Sequence, residues 1–244
     1  MNPARTLAVA ARVLRQLSHD ARSVVLLLVA PPLLVGLFAW LFDEQDGVFD
    51  QLGGPILALF PFILMFVVTS VTTLRERRSG TLERLMTTPL GKADFIVGYA
   101  LAFGLIAVVQ AVFTVAYAVL VCGLTVEGPV WQLGLVAVLD ALLGTALGLL
   151  ASAFARTEFQ AVQFMPLVVI PQILVGGLLM PRDQMPEVLY NISNWLPLSY
   201  AVDAVNAVTA GDEGWELWKP LIVIACVSLA ALVLASVTLR RRTP

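Results

Sequence analysis

Long apolar runs, nearly free of charge and separated by short polar stretches, set the pattern of the chain. Six of them predict helices that cross a membrane: Val24 to Phe42, Ile56 to Leu74, Phe95 to Leu124, Val130 to Ala155, Phe159 to Leu179 and Leu221 to Leu239. At 1.5 Å of rise per residue each covers ~30 Å of hydrocarbon, and the third and fourth have residues to spare. Lipid offers no partner for an open N–H or C=O, so the spans must be helical. The fold class is therefore all-α, and residues 1–244 read as a single membrane domain.

Two further segments carry a pattern of their own. In residues 1–22, Leu7, Ala10, Leu14, Leu17 and Ala21 fall along one face at helical spacing. Arg12, Arg15, His19 and Arg22 line the other, as in a helix lying on a membrane surface. The run that follows is about a full span rather than the ~7–15 residues of a signal-peptide core, and no clear small-residue cleavage site ends it. A retained first span is expected. Residues 180–220 are too apolar for a solvent loop: "EVLYNISNWLPLSYAVDAVNAV" holds Tyr190, Trp195 and Tyr200 and turns helical in its second half. This segment is expected to form short re-entrant helices that dip into the outer leaflet under cover of protein. Asn191-Ile192-Ser193 fits a glycosylation triplet, a pattern common by chance.

Charge gives the spans a direction. The net charge is only −2, which implies no bulk attraction to nucleic acid. Of the 15 basic residues, all but Arg182 and Lys219 fall on one side of the predicted membrane. They occupy the N-terminal segment, the loop after the second span, the turn at Arg156 and the C-terminal tail. That side is expected to be cytoplasmic, with both termini inside. The opposite side is rich in Asp and Glu. Cys122 and Cys226 lie in apolar runs as small hydrophobes, and the lone His19 has no second histidine with which to share a metal.

The densest charge is in "LRERRSGTLERLMTTPL", residues 74–90. Ser79 and Gly80 interrupt the helix leaving the second span, Glu83 sits in the first turn of a new helix, and Pro89 stops it before Gly91. Leu82, Leu85 and Met86 share one face of that helix, which is barely two turns long and needs a surface to pack on. Residues alone leave two readings, a docking knob or a basic loop whose apolar face touches lipid. No G-x-x-x-x-G-K-[ST] occurs, since Gly91-Lys92 lacks both the upstream Gly and a following Ser or Thr. H-E-x-x-H, C-x-x-C and G-x-S-x-G are also absent, so an enzymatic reading has no motif to rest on.

Two spans hold unusual residues. Asp140 lies ten residues into the fourth, where a carboxylate costs ~2.5–3.5 kcal/mol on insertion scales, so it is expected to face the bundle interior. It shares a face with Gly144, Gly148 and Ser152, a small-residue stripe that admits a close helix. Ser152 and Gln110 are candidate partners, and both a helix-contact role and a role in a substrate or proton path stay open. In the fifth span Pro166 and Pro171 each remove a backbone donor and Gly176-Gly177 loosens the outer end, which marks it as a hinge.

"RERRSGTLERLMTTPL" resembles the "RE…GTLE.L..TP" stretch between the second and third spans of membrane subunits of the ABC type-2 exporter class. That class includes the daunorubicin-resistance-type drug and lipid exporters of bacteria. "LPLSYAVDAVNAV", Leu196 to Val208, is similar to the "NPLTYAVDALR" segment such subunits carry before their last span. Leu196 stands where Asn is frequent and Asn206 where Arg is common, departures that bear on the outer surface.

The resemblance implies that residues 75–94 form a cytoplasmic coupling helix seated in a groove of a separate ATPase subunit. Gly80, Thr81, Leu82, Glu83, Leu85 and Pro89 match the motif; Leu82 and Leu85 would be the knob, with Met86 on the same face and Glu83 and Arg84 as polar contacts. It also implies a route between two permease copies lined by spans two and five. Phe159, Gln163, Phe164 and Gln172 are the candidate lining residues there, and an ordinary kinked helix is the other reading. The expected protein is an exporter permease in a bacterial plasma (inner) membrane, a homo- or heterodimer moving a hydrophobic or amphipathic drug, antibiotic or lipid outward. It would bind no cofactor itself, ATP and Mg being held by the partner subunit. Two other classes fit the residues less fully: a proton-coupled carrier using Asp140, and a membrane scaffold that recruits a partner without transport.

Overall fold

A computed structural model describes residues 2–45, 47–79, 91–212 and 214–238. Among them every regular element is helical, with no strand. In order these are α1 (Pro3–His19), α2 (Ala21–Leu41), α3 (Val48–Arg78), α4 (Lys92–Leu120), α5 (Val130–Phe154) and α6 (Glu158–Val175). A 3-10 turn (Arg182–Gln184), α7 (Glu187–Ser193), α8 (Pro197–Thr209) and α9 (Trp215–Thr238) follow. Six helices, α2 to α6 and α9, are long and apolar enough to cross a membrane.

The spans start and stop at positions that differ from the apolar windows. Helix α3 begins at Val48 rather than Ile56 and runs through Gly53, Gly54 and Pro55, and α9 begins at Trp215 rather than Leu221. Helix α4 ends at Leu120 and α6 at Val175, short of the predicted Leu124 and Leu179. An apolar window marks the depth of lipid, whereas a helix continues into the polar boundary until a cap or a glycine ends it.

Helix α5 is the centre of the bundle, packed against α3, α4, α8 and α9. It runs parallel to α3, and Gly144 and Gly148 let the two backbones meet. A Cβ at Gly144 would lie 2.4 Å from the Phe62 carbonyl oxygen, and one at Gly148 2.6 Å from that of Phe66. No side chain fits there, so the small residues fix the α3–α5 spacing. Phe62, Met65, Phe66, Leu143 and Leu149 are completely or almost completely buried around this seam.

The buried face of helix α1 differs from the expected apolar face. Its buried face is Thr6, Val9, Ala10, Val13 and Leu17, and it packs on α4, where Gly98 makes room for Val9. Leu7 points outward, and Ala21 already belongs to α2. Asn2 caps α1 by accepting the Ala4 N–H, and Asp20 caps α2 by accepting from Ser23, so Asp20 separates the two helices. Burying Val9, Val13 and Leu17 is worth up to ~1.5–3 kcal/mol each.

The outer segment folds over the bundle. Helix α8 buries Leu198, Ala201, Val202, Ala204, Val205 and Val208 against α3, α5 and α9. The loop between α4 and α5 is tied to its end, with the Glu127 and Gly128 N–H groups donating to the Thr209 and Val208 carbonyls.

Candidate functional site

The last turn of α3 holds three neighbouring helices with three consecutive residues. Arg75 makes a two-pronged contact with Glu158, the first residue of α6, at 3.2 and 3.1 Å. Glu76 accepts from Arg12 of α1 at 2.9 and 3.2 Å, and Arg77 donates to the Ser152 carbonyl in the last turn of α5. Successive residues of a helix point about 100° apart, so one turn can address three partners. Arg77 also places a cation at the negative end of the α5 dipole.

These contacts differ in weight. The Arg75–Glu158 pair is open to solvent on both sides and is screened. Glu76 is only 6% exposed, so its pair with Arg12 is largely withdrawn from water. Arg12 was expected on the polar outer face of α1; the structure turns it inward to that carboxylate.

The chain re-enters the membrane beside the same helix. Asp94, buried in the first turn of α4, accepts from the Asn2 N–H at 3.0 Å, the Thr6 hydroxyl at 3.2 Å and the Gly91 N–H at 3.1 Å. Helix α1 therefore bridges both legs of the segment between α3 and α4, through Glu76 on one and Asp94 on the other. Gly80, Thr81, Leu82, Glu83, Arg84, Leu85, Met86 and Pro89, the predicted coupling residues, lie outside the described residues.

Within the bundle Asp140 is fully buried, and neither carboxylate oxygen has a hydrogen-bond partner among the described residues. The partners expected from the sequence are engaged elsewhere. Gln110 donates to the Leu27 carbonyl and joins α4 to α2, while the Ser152 hydroxyl turns back to Leu149 of its own helix. Only for Ser152 is the competing acceptor local, one turn back in its own helix; that of Gln110 lies on α2.

The four predicted lining residues of α6 separate. Phe159 and Gln163 are exposed, and Phe164 packs on the small cluster of Leu74, Ala155 and Ala161. Gln172 is buried and turned inward: its carbonyl accepts the Leu198 N–H at 2.9 Å, its amide donates to Val168, and it thereby caps α8. An N-terminal turn of a helix leaves N–H groups open, and Gln172 fills one of them. Helix α6 continues through Pro166 and Pro171 to Val175, with Gly176 as its cap, ahead of Gly177, which adopts φ +93°.

Sequence reasoning passed over Glu76, Asp94 and Arg182. A lone acid among arginines at a membrane border, and an acid three residues after Gly91, were the signals for the first two. Arg182 sits in the outer segment, held by Asp203, Asn194 and Ser193 between two tyrosine rings. Removal from solvent pushes the Asp203 carboxyl above the usual carboxylate range, against the pull of Arg182 and Lys219.

Comparison with known proteins agrees with this arrangement. Residues 5–209 match the family model described as ABC-2 type transporter. The chain is 27% identical over 181 residues to the probable multidrug ABC transporter permease YbhR of Escherichia coli K12, covering 72% of this chain and 49% of that protein. It is 26% identical over 194 residues to the inner membrane transport permease YhhJ of the same organism, covering 77% and 51%. With the linearmycin resistance permease protein LnrN of Bacillus subtilis it shares 28% identity over 154 residues, covering 61% and 40%. The chain spans about half the length of the first two relatives. With a match over most of its length and six membrane-spanning helices in place, the chain belongs to the ABC-2 type transporter family.

Proposed function

We propose that this chain is the permease subunit of an ATP-binding-cassette exporter that moves a hydrophobic or amphipathic compound outward across a bacterial inner membrane. The family match over residues 5–209 carries the reading. The relatives' names describe multidrug and linearmycin-resistance permeases, which supports a drug, antibiotic or lipid as cargo. A separate subunit binds ATP and Mg, and a second permease copy, identical or related, completes the membrane part. The distribution of basic residues supports a cytoplasmic side for both termini, α1 and residues 80–90.

In this reading Leu82 and Leu85 enter the ATPase groove, with Gly80, Thr81, Glu83, Arg84, Met86 and Pro89 shaping the contact. Their motion reaches the spans through the last turn of α3 and through α1. The test is co-purification of the tagged chain from its native membrane, with ATPase activity measured before and after both leucines are changed to alanine. A nucleotide-binding subunit that co-purifies with the wild type and is lost or uncoupled in the double variant supports the reading. A chain that emerges alone, under conditions that preserve complexes, defeats it.

The unpartnered Asp140 favours one second reading, a proton-coupled carrier in which that carboxyl takes up and releases the proton. Such a carrier transports without an ATPase subunit, is driven by a pH gradient, and stops in Asp140→Asn. ATP-driven export retained in Asp140→Asn excludes it.

A further inference from the structure

The outer end of α6 is fastened to the rest of the molecule at few points. Only 17% of its apolar window is buried, against 61% for α3 and for α5, and Gly177 gives it a left-handed joint directly beyond its last turn. Five residues after that joint, Arg182 enters a socket formed by α7, α8 and the turn between them. Its Nε donates to the Ser193 hydroxyl at 2.9 Å, and its two terminal nitrogens reach the Asn194 side-chain oxygen and the Asp203 carboxylate. The guanidinium lies 5.5 Å from the Tyr190 ring centre and 5.4 Å from that of Tyr200. The Tyr200 hydroxyl donates to the Asn194 carbonyl, which closes the socket from α8.

This site combines one carboxylate, two neutral oxygens and two aromatic faces around a single guanidinium whose side chain is 9% exposed. A planar fork matches that set of acceptors, and a point charge does not. The far wall belongs to α8, which is locked into the core by six buried side chains. Gly177 is also pressed against the Arg182 stem: a Cβ there would lie 3.1 Å from Cγ of Arg182. The socket therefore connects the fixed part of the outer face to one of three spans, with α2 and α9, that have little packing of their own among the described residues.

We propose that Arg182 is the pin that holds the outer end of α6 closed against α7 and α8, and that its withdrawal from the Tyr190–Tyr200–Asp203 socket accompanies opening of the outward path. The inference rests on the exporter reading for its role, though the pin itself is a statement about this chain alone. Gln172, which accepts the Leu198 N–H just inside the joint, is the second fastening.

The experiment places spin labels at Leu174 on α6 and Val188 on α7, both exposed, in a chain whose Cys122 and Cys226 are replaced by serine. Distances are measured by electron–electron double resonance in lipid nanodiscs. Without nucleotide the wild type should give one narrow distance, Arg182→Ala a longer and broader one, and Arg182→Lys an intermediate one because it keeps the charge and loses the fork. Tyr190→Phe keeps the ring and should match the wild type. Unchanged distances in Arg182→Ala overturn the pin. So does a broadened distribution in Tyr190→Phe equal to that of Arg182→Ala, because it would report general unfolding of the outer segment.

A second arm adds the ATPase subunit with ATP and Mg. The wild-type distance should move toward that of Arg182→Ala. If the nucleotide-free distances follow the pin but no ATPase subunit binds, the exporter reading fails while the fastening stands, and the proposed link to export is refuted.

Discussion

Gly144→Ala and Gly134→Ala place the same methyl group on the same helix and are expected to change stability in opposite directions. At Gly144 the new Cβ would lie 2.4 Å from the Phe62 carbonyl oxygen and 3.1 Å from its Cα and carbonyl carbon. All three are backbone atoms, so no side chain can swing aside. Ordinary contact begins near 3.4 Å, and α3 and α5 must part by about 1 Å. Overpacking costs ~1–3 kcal/mol, and a backbone obstacle puts this case at the upper end. Alanine's helix preference returns ~1 kcal/mol, which leaves a net loss of roughly 2 kcal/mol. For a chain of this length that lowers the midpoint of thermal unfolding by ~4–8 °C. At Gly134 nothing lies within 4 Å, so only the helix preference acts, and the midpoint should rise by ~2 °C. Thermal unfolding of the detergent-purified variants, followed by circular dichroism, measures both. Equal shifts, or a stabilised Gly144→Ala, would refute the claim that this seam is set by backbone contact.

The remaining contacts give three shorter tests. Arg12→Ala leaves the nearly buried Glu76 carboxylate without its cation and should cost ~2–4 kcal/mol, while Arg75→Ala, from a pair open to solvent, should cost no more than ~0.5 kcal/mol; denaturation of the two variants side by side checks the ratio, and similar losses would contradict it. Gln172→Leu removes the acceptor of the Leu198 N–H, should lose ~1–3 kcal/mol, and should speed hydrogen exchange in the first turn of α8; unchanged protection there would show that Gln172 does not cap it. Asp140→Leu replaces a carboxyl with no partner among the described residues by an apolar side chain and should raise stability by ~1–2 kcal/mol; a loss of that size would mean that Asp140 has a partner in the working protein.

Much of the architecture is legible in the residues because lipid is an unforgiving solvent. A run that fills the hydrocarbon depth has one permitted backbone, so six spans follow from composition along the chain. The recurrence of Gly144, Gly148 and Ser152 every four residues is visible too, but the facing carbonyls of Phe62 and Phe66 are not. What pattern alone lacks is the pairing of distant polar residues. Arg12 and Glu76 are 64 positions apart, and nothing local distinguishes Arg12 from Arg15, which shares the polar side of the same helix. Gln172 is a candidate lining residue only through the resemblance, which places its span beside the route; its bond to α8 has no signature in the sequence. Its partner, an open N–H at the start of α8, exists only once that helix is folded against it.

The distribution of packing bears on how such a bundle can move. Helices α3, α4 and α5 are tightly joined, and α1 is bonded to both legs of the segment that leaves α3 and returns as α4. A push on that segment cannot bend one leg without breaking the Arg12–Glu76 pair or the Asp94 contacts, so it should displace these helices together. Helix α6 answers differently. Beyond its packing on α3, its polar ties are few: Arg75 to Glu158 at the inner end, Gln172 to Leu198 near the outer end, and Arg182 beyond the glycine joint. The inner tie is solvent-screened and weak. Under a rigid displacement of α3 the difference in motion is therefore taken up along α6, whose two prolines have already removed two backbone bonds. On the exporter reading, a path opening beside α6 would have to break both the Gln172–Leu198 bond and the Arg182 socket at its outer end.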